Sequence, residues 1–365
     1  MSRILLSLFL LNSTFGITQY ADRLVDLFGP ELKPGVACYR IPALITAQDG
    51  TLIAIADERM GSCKDLGGND DINLVMRRSR NKGKTWTAAE TVIDYPKGQS
   101  ASDAALLSDE QTSTVFLLFN YMDHVNRKGR YRFHLMRSTN AGITWSSPED
   151  ITDQIIRPEW QDDFQFITSG SGIQTRSGWL LHTLVNVSRQ SGWVFGSSDH
   201  GKTWRLFPGE LKPADESKII ELPDGKWMVN ARVNKIGHRY IHMSEDNGQT
   251  WESSADQNLE DPGCNASVLV SGRKGDTKLL FGNLNHPRER QNLSLRISTD
   301  NGRNWDSPRT IYTGSAAYSC LSPLSGGEAA LIFERDDYSQ ISFLRLRRKD
   351  MEGSGAPGAR LSRGR

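Results

Sequence analysis

The amino-acid sequence predicts an all-β fold, a six-bladed β-propeller of four-stranded antiparallel blades. Two observations carry this prediction: one octapeptide recurs five times at near-regular spacing, and short strand-like runs fill the intervals. A third observation agrees with it, because no long stretch shows the helical periodicity of apolar residues. A repeat of roughly 50 residues built from short strands is typical of a propeller blade.

The octapeptide has the pattern Ser-x-Asp/Asn-x-Gly-x-Thr/Asn-Trp. An Asp or Asn at the third place can bond the backbone two residues on and hold a turn, and Gly at the fifth place accepts a positive φ. Ser and Thr add side-chain to backbone hydrogen bonds, and Trp at the eighth place fills an apolar slot under the turn. We therefore expect a strand-turn-strand unit with a folding role and no catalytic one. The five copies are Ser79–Trp86, Ser138–Trp145, Ser197–Trp204, Ser244–Trp251 and Ser298–Trp305.

The spacing of the copies gives the number of blades. Their first residues are 59, 59, 47 and 54 positions apart. Strand-like runs lie between the copies, several of them after turn dipeptides such as Asp49-Gly50. Five marked blades and an unmarked one over Tyr312–Leu346 make six, so we expect the propeller to span residues 24–346 and its last strand to end at Leu344 or Leu346. The clearest runs are Thr51–Ala56, Thr114–Tyr121, Trp179–Val187, Trp227–Val233 and Lys278–Leu284.

Charge and hydropathy exclude several classes of partner. The 365 residues include 44 Lys and Arg against 43 Asp and Glu, a net charge of +1, which excludes binding to nucleic acid by bulk charge. No apolar run reaches the ~18 residues that span a bilayer, so we expect no stable membrane insertion. The basic residues concentrate after position 345, and we expect residues 347–365 to be a disordered basic tail. The propeller is expected to be a monomer.

The N-terminal 23 residues allow two interpretations. Arg3 precedes an apolar run, Ile4–Leu11, which favours a short signal peptide over residues 1–23 and a secreted or periplasmic protein. No clear cleavage site follows, so an N-terminal helix or strand of the fold and a cytoplasmic location stay open.

Cysteine and histidine residues do not form a metal-binding pattern. There are four Cys, with no Cys-x-x-Cys pair, and seven His, with no His-Glu-x-x-His motif. We therefore expect no metal and no other cofactor. Cys38 and Cys63 flank the strands of the first blade; they are expected to be two buried thiols, with a disulfide as the alternative in an exported protein.

Three arginines have no evident structural role. Arg40 opens an apolar strand, where a structural Arg is costly, Arg232 ends another apolar strand, and Arg290 precedes the strand that leads to the fifth octapeptide. Each alone is more often a surface residue. Together, on inward-facing strands of three blades, they predict a clamp for a carboxylate, which the planar guanidinium binds at two points.

The segment Tyr39-Arg40-Ile41-Pro42 together with the repeated octapeptides resembles the exo-sialidase (neuraminidase) family of six-bladed propellers. The resemblance covers roughly residues 24–345 and is nearest to sialidases of Bacteroides-like bacteria. Further segments carry it at matching order and spacing: Ala37–Leu44, Ala56–Arg59, Asp70–Ser79, Pro213–Lys218, Asp261–Ser267, Gly314–Ser319 and Phe333–Tyr338.

The resemblance implies a role for nine residues. Arg40, Arg232 and Arg290 match the triad that binds the carboxylate, and Glu334 matches the acid that steadies Arg40. Arg59 matches an arginine near the sugar's 4-hydroxyl, and Asp103 matches a polar contact of the N-acetyl or 4-hydroxyl region. Those that match catalytic positions are the general acid/base Asp65, the nucleophile Tyr318 and its base partner Glu216.

The implied chemistry explains these residue types. Sialic acid carries a carboxylate on its anomeric carbon, which would repel a carboxylate nucleophile, and sialidases are an exception among retaining glycosidases in using Tyr. A phenol with a pKa of ~10 needs a base to take its proton, here Glu216. No metal enters this scheme.

The residues alone leave rivals open for three roles. Asp70 and Asp71 compete with Asp65 for the acid, and Asp215 and Glu221 compete with Glu216 for the base. Arg288 competes with Arg290, which is preferred because it stands two residues before Asn292 as family members have it.

The expected function is retaining hydrolysis of terminal sialic acids, with sialylated glycoproteins, glycolipids and oligosaccharides as partners. A non-catalytic sialic acid-binding propeller and an interaction scaffold are the alternatives from other classes. Tyr318, Glu216 and Asp65 argue against the first, and the three arginines against the second. A trans-sialidase differs in acceptor binding and water exclusion, which the sequence does not reveal.

Overall fold

The computed structural model describes residues 18–273 and 276–352 and is almost entirely β-structure. Residues 1–17, on which most of the signal-peptide prediction rests, therefore lie outside the described residues, as do residues 353–365 of the expected tail. Within the described ranges, no helix is long and apolar enough to cross a membrane. The described residues include two short α-helices, α1 (Thr18–Ala21) and α2 (Thr152–Ile155), with 3₁₀ turns at Pro30–Leu32, Leu66–Gly68, Pro158–Trp160, Val187–Arg189 and Arg348–Met351.

The strands follow one another around the molecule. They are β1 (Val25–Phe28), β2 (Val36–Thr46), β3 (Leu52–Met60), β4 (Ile72–Ser79), β5 (Glu90–Ile93), β6 (Gln99–Asp109), β7 (Thr114–Asp123), β8 (Arg132–Ser138), β9 (Glu149–Asp150), β10 (Gln165–Ile167), β11 (Gly170–Ser171), β12 (Ile173–Gln174), β13 (Leu180–Asn186), β14 (Ser191–Ser197), β15 (Arg205–Leu211), β16 (Ser217–Glu221), β17 (Trp227–Ala231), β18 (His238–Ser244), β19 (Glu252–Glu260), β20 (Ser267–Arg273), β21 (Asp276–Leu284), β22 (Gln291–Ser298), β23 (Arg309–Leu324), β24 (Glu328–Arg335) and β25 (Gln340–Leu346).

These strands form antiparallel blades, and the predicted all-β propeller is confirmed. Four sheets are separate: β2–β5 in order, β6–β9 in order with β11 beside β6, β10-β13-β14-β15 with β12 beside β13, and β16–β19 in order. The remaining strands form one seven-stranded sheet, β1-β25-β24-β23-β22-β21-β20. The count of six blades stays a prediction.

The long strand β23 joins the two halves of the seven-stranded sheet. Its first part pairs with β22 from Arg309 to Ser315, and its second part pairs with β24 from Ala316 to Leu324. At the far edge, β1 from the start of the chain pairs with β25 from its end, Val25 opposite Phe343. The N-terminal strand therefore completes the last blade, and β25 ends at Leu346 as expected.

The first residues of the expected disordered tail are ordered, which corrects that part of the expectation. Residues 348–351 form a 3₁₀ turn in which Asp350 and Met351 are buried. Arg23 Nη2 donates to Asp350 Oδ2 at 2.7 Å, and Arg309 Nη1 donates to the Asp350 carbonyl at 2.9 Å. The acidic and apolar residues of this segment thus anchor it, although its composition suggested a solvated tail.

The five octapeptides form the expected turns, with one difference in hydrogen bonding. In the third copy, Ser197 Oγ accepts from the Gly201 amide at 2.8 Å, and Gly201 has φ 76°. The Asp199 carboxylate accepts from the Thr203 amide at 3.0 Å, so it reaches four residues on, not two. The residue before Gly also has a positive φ in every copy (His200, 60°), which the pattern did not predict. Trp204 is buried in the core, as the folding role requires.

We expect Gly83→Ala to destabilise the fold more than Gly50→Ala. Both glycines have φ near 80°, so each alanine carries the left-handed cost of about 1–2 kcal/mol. A Cβ at Gly83 would lie 2.1 Å from Phe343 Cε1, whereas a Cβ at Gly50 meets nothing within 4 Å. The clash adds about 1–3 kcal/mol for Gly83→Ala alone. Urea unfolding of both variants measures the difference, and equal midpoints would contradict this account of the turn.

Candidate active site

The predicted site residues converge on one cleft of about 400 Å³. Eight of the nine line it, namely Arg40, Arg59, Asp65, Asp103, Glu216, Arg232, Arg290 and Tyr318. The ninth, Glu334, is fully buried and accepts hydrogen bonds from three lining residues, Arg40, Ile41 and Tyr318. Residues more than 290 positions apart in the chain therefore form one site.

Arg40 is held at the cleft by a buried ion pair and a break in β2. Its Nε donates to Glu334 Oε1 at 2.6 Å. The next residue, Ile41, has φ 56°, a conformation that is an outlier for a β-branched side chain, and its amide also donates to Glu334 Oε1 at 2.8 Å. The register of β2 against β3 shifts at this point. The bulge therefore turns Arg40 toward the cleft while Glu334 fixes its position.

The other two arginines of the predicted clamp have different partners. Arg232 Nη1 donates to Glu216 Oε2 at 2.5 Å, and Arg290 Nη1 donates to the hydroxyl of Tyr338 at 3.1 Å. Arg288, the rival of Arg290, is exposed and does not line the cleft. The structure therefore brings together the three arginines that the sequence selected.

Tyr318, Glu216 and Arg232 form a compact group. Arg232 Nη1 donates to Tyr318 Oη at 3.3 Å as well as to Glu216. Burial, and then the negative charge of Glu216, hold the pKa of Tyr318 well above its ordinary value. The phenol is thus neutral at rest, with an acceptor for its proton beside it. The backbone amide of Tyr318 donates to Glu334 Oε2 at 3.0 Å, which links this group to Arg40.

Arg59 and Asp65 form an ion pair at the rim. Arg59 is 1% exposed, and its guanidinium donates to Asp57 Oδ2 at 3.1 Å and to Asp65 Oδ1 at 2.7 Å. The Asp65 side chain is 82% exposed on the loop after β3. Desolvation by the surrounding protein atoms opposes ionisation even at this exposed position, but the charge and hydrogen bond of Arg59 prevail and lower the pKa of Asp65. In the free protein Asp65 is therefore an ionised carboxylate that faces the cleft.

Asp103 lies at the floor, in a bulge of β6. It has φ 60°, and the register of β6 against β7 shifts between Ser102 and Ala105. Its amide donates to Asp57 Oδ1 at 3.0 Å, and Asn120 Nδ2 donates to its Oδ2 at 3.0 Å. Burial, and then the neighbouring Asp57 carboxylate, raise the pKa of Asp103. Asp103 is thus suited to donate as well as accept a hydrogen bond toward a ligand hydroxyl.

The expectation of two buried thiols is wrong for Cys38 and Cys63, which form a disulfide. Cys38 on β2 pairs with Arg59 on β3, and the loop after β3 returns past it. Spacing in the sequence does not give this distance. The bond ties the segment that carries Asp65 to the strand that carries Arg40. Cys264 and Cys320 are free and buried.

Several lining residues escaped the sequence analysis. One wall of the cleft is apolar and aromatic, formed by Leu66, Tyr131, Phe164, Phe166 and Val187. Phe164 is 41% exposed, which is unusual for so large an apolar side chain. These residues lie on segments without a motif, so only their position at the cleft reveals them. Tyr338 ends the matching segment Phe333–Tyr338, but the resemblance assigns it no role.

Of the four residues that compete for the acid and base roles, three lie outside the cleft and one lines it. Asp70, Asp71 and Glu221 do not line the cleft, and Glu221 contacts Arg176 on another surface. Asp215 does line it, and its carboxylate accepts from Asn234 Nδ2 at 2.5 Å. Among residues 18–273 and 276–352, no three His, Cys, Asp or Glu side chains are grouped to hold a metal ion.

Comparison with known proteins points to one family. Residues 50–331 match the family model of the BNR repeat-like domain. The chain is 31% identical over 335 residues to a sialidase of Micromonospora viridifaciens, covering 83% of this chain and 50% of that protein. It is 28% identical over 347 residues to a sialidase of Bacteroides fragilis, covering 86% and 63%. The chain thus spans about half to two thirds of these relatives.

Among solved structures, a Hadza microbial sialidase superposes with a TM-score of 0.77 at 26% identity. The match covers 87% of this chain and 67% of that one. The resemblance to bacterial sialidases that the motifs predicted is confirmed by these similarities.

Proposed function

The chain belongs to the family of BNR repeat-like domains, and from that premise we propose that it is an exo-sialidase, a retaining glycoside hydrolase that releases terminal sialic acids from glycoconjugates. One observation carries the proposal. Arg40, Arg232 and Arg290 converge on the same cleft as a tyrosine that has Glu216 beside its hydroxyl. The cleft therefore combines a binding site for an anionic sugar with a neutral nucleophile.

The three arginines suit the carboxylate of sialic acid. Two of them already hold carboxylate partners within the protein, Glu334 for Arg40 and Glu216 for Arg232, so their orientation is set before a ligand arrives. Their remaining donors are free to bind the carboxylate by charge-assisted hydrogen bonds. The clamp holds this carboxylate in the substrate and in the oxocarbenium-like transition state alike.

In the first step, the oxygen of Tyr318 attacks the anomeric carbon while its proton passes to Glu216. The glycosidic bond breaks, and Asp65, once protonated, gives its proton to the leaving oxygen. A neutral nucleophile avoids repulsion by the adjacent carboxylate, which an Asp or Glu would suffer. The raised pKa of Tyr318 requires that its proton leave during attack and not before it.

In the second step, Asp65 takes a proton from water, and the water attacks the anomeric carbon from the face that the leaving group vacated. The bond to Tyr318 breaks, and Glu216 returns the proton to the phenol oxygen. Two inversions give net retention. Because Arg59 holds Asp65 ionised in the free protein, a substrate that engages Arg59 helps the carboxyl to gain its proton.

The test is incubation with a fluorogenic sialic acid glycoside at pH 5 to 7, with the product's anomer followed by NMR. The proposal predicts release of the α-anomer first. Binding of sialic acid without release, by a folded sample, would favour the non-catalytic binding propeller. Transfer to added lactose in place of release would favour a trans-sialidase.

We expect Asp65→Ala to act selectively on substrates with poor leaving groups. Loss of a general acid costs about 10²–10⁴-fold where the leaving oxygen needs a proton, and little where it departs as a stable aryloxide. kcat/KM for sialyllactose should therefore fall far more than kcat/KM for the fluorogenic glycoside. An equal fall for both substrates would remove Asp65 from the acid role.

Cys63→Ser should show the same selectivity to a smaller degree. The disulfide holds the segment two residues before Asp65, so its loss misplaces the acid without touching Tyr318. Kinetics with the same two substrates measure the effect, and a loss that is the same for both would show a general effect on the fold.

The disulfide also supports our proposal that the protein is exported, since such bonds persist in oxidising compartments. Detection of the protein in the cytosol alone, with reduced cysteines, would contradict it.

A further inference from the structure

Three consecutive residues beside the cleft adopt a left-handed backbone conformation. Asp336, Asp337 and Tyr338 have φ of 53°, 51° and 67°. None is glycine: Asp adopts this conformation as a single residue, but a run of three L-residues is unusual, and for Tyr338 it costs on the order of 1–2 kcal/mol. Conformations of this kind persist only where surrounding contacts determine them, and they concentrate at functional sites.

The turn is tied to β23 three residues before Tyr318. The Asp336 amide donates to the Ser315 carbonyl at 2.9 Å, and Ser315 Oγ donates to Asp337 Oδ1 at 2.7 Å. The Asp336 carboxylate also accepts from Tyr312 and Arg335. These contacts hold the turn in a conformation that its own residues disfavour.

The result of the turn is the placement of Tyr338 between two arginines of the clamp. The Arg40 guanidinium lies over the Tyr338 ring, with Cζ 3.8 Å from the ring centroid. Arg290 Nη1 donates to the Tyr338 hydroxyl at 3.1 Å. Arg40 lies on β2 and Arg290 in the loop just before β22, and the two carry like charges, so a group that contacts both limits their separation and orientation.

We propose that Tyr338 is a positioning residue of the carboxylate clamp, and that the left-handed turn exists to hold it there. This inference rests on the proposed function, since it assigns Tyr338 to the same site. The ring stabilises the Arg40 guanidinium by a cation–π contact, and the hydroxyl fixes one nitrogen of Arg290. The guanidinium groups of Arg40 and Arg290 are thereby oriented before sialic acid binds, which lowers the conformational entropy lost on binding.

The first test compares Tyr338→Phe with Tyr338→Ala by calorimetric titration of sialic acid. Phe retains the ring over Arg40 and loses only the hydrogen bond, so we expect about tenfold weaker binding. Ala loses both contacts, and we expect about a hundredfold weaker binding. KM for the fluorogenic glycoside should rise in parallel, with kcat changed far less, because the clamp binds substrate and transition state alike. A purely structural role would lower the unfolding temperature and leave binding by the folded fraction unchanged.

The second test separates the turn from the side chain through Asp337. Asp337→Gly and Asp337→Val both remove the bond from Ser315, but only glycine accepts a positive φ without strain. We expect Asp337→Gly to bind sialic acid nearly as the parent does and Asp337→Val to bind about as weakly as Tyr338→Ala. Adding Asp337→Val to Tyr338→Ala should cause little further loss, because both act through the same residue.

The outcomes distinguish this inference from the proposed function. If the parent protein neither binds nor cleaves sialosides, the proposed function is wrong, and this inference with it. If the parent binds and Tyr338→Ala binds within twofold of it, the inference alone is overturned. If Tyr338→Ala does not fold, two other results together would overturn the inference. Tyr338→Phe would bind sialic acid as tightly as the parent, and Asp337→Gly and Asp337→Val would bind it equally well.

Discussion

Tyr318→Phe is expected to lower kcat by at least about a thousandfold while sialic acid still binds. Removal of the nucleophile of a covalent mechanism abolishes its first step, and losses of this size and more are typical. The ring remains, and the ion pair of Glu216 with Arg232 does not depend on the phenol oxygen, so the clamp keeps its shape. Single-turnover kinetics with the fluorogenic glycoside and calorimetric titration of sialic acid measure the two effects.

Tyr240→Phe on β18 is the matched control, because Tyr240 lies outside the cleft. It should leave kcat and affinity as in the parent. A Tyr318→Phe variant with a near-parental rate would remove Tyr318 from the nucleophile role. A variant that lost binding as well would indicate that the phenol holds the site together.

The second large effect is expected for Arg40→Met, which should weaken both affinity and stability. Affinity should fall by about a hundredfold or more, because a charge-assisted pair with the sugar carboxylate is lost. Stability should fall by about 3–5 kcal/mol, since Glu334 is left fully buried without its partner. Calorimetric titration and urea unfolding measure the two losses separately.

Glu334→Gln added to Arg40→Met separates the two effects. Glutamine removes the unpaired charge and keeps an acceptor for the Ile41 amide, but its Nε2 cannot accept from the Tyr318 amide, so only part of the stability should return. Affinity should stay low, because no guanidinium has been restored. Recovery of both quantities would mean that Arg40 acts through the fold and does not bind the sugar.

The sequence predicts the blades well because the octapeptide determines its own conformation. Ser197, Asp199 and Gly201 satisfy one another within eight residues, so the pattern specifies the turn without help from distant contacts. The join within the seven-stranded sheet is different, since β23 carries no octapeptide and its two halves pair with different neighbours. The same holds for β1, which reaches β25 from the opposite end of the chain.

The candidate site could be predicted where a residue type was out of place or matched a family motif. Arg40 was conspicuous as a charge in an apolar strand, and its partner Glu334 followed only from the resemblance, since 294 positions separate them. Tyr338 ends a matching segment, but a tyrosine near a strand end is ordinary, and its role depends on the left-handed backbone of residues 336–338, which the sequence does not reveal. The disulfide depends on how the loop after β3 folds back, which local sequence does not determine.

Covalent attack of Tyr318 on sialic acid can be detected by trapping the intermediate. A 2,3-difluorinated sialic acid slows the departure of the sugar, because fluorine beside the anomeric carbon disfavours the oxocarbenium-like transition state. Mass spectrometry of the digested protein should then find one added sugar on the peptide that contains Tyr318, and none in Tyr318→Phe. A sugar on another residue, Glu216 above all, or an active protein that never carries a label, would contradict the account.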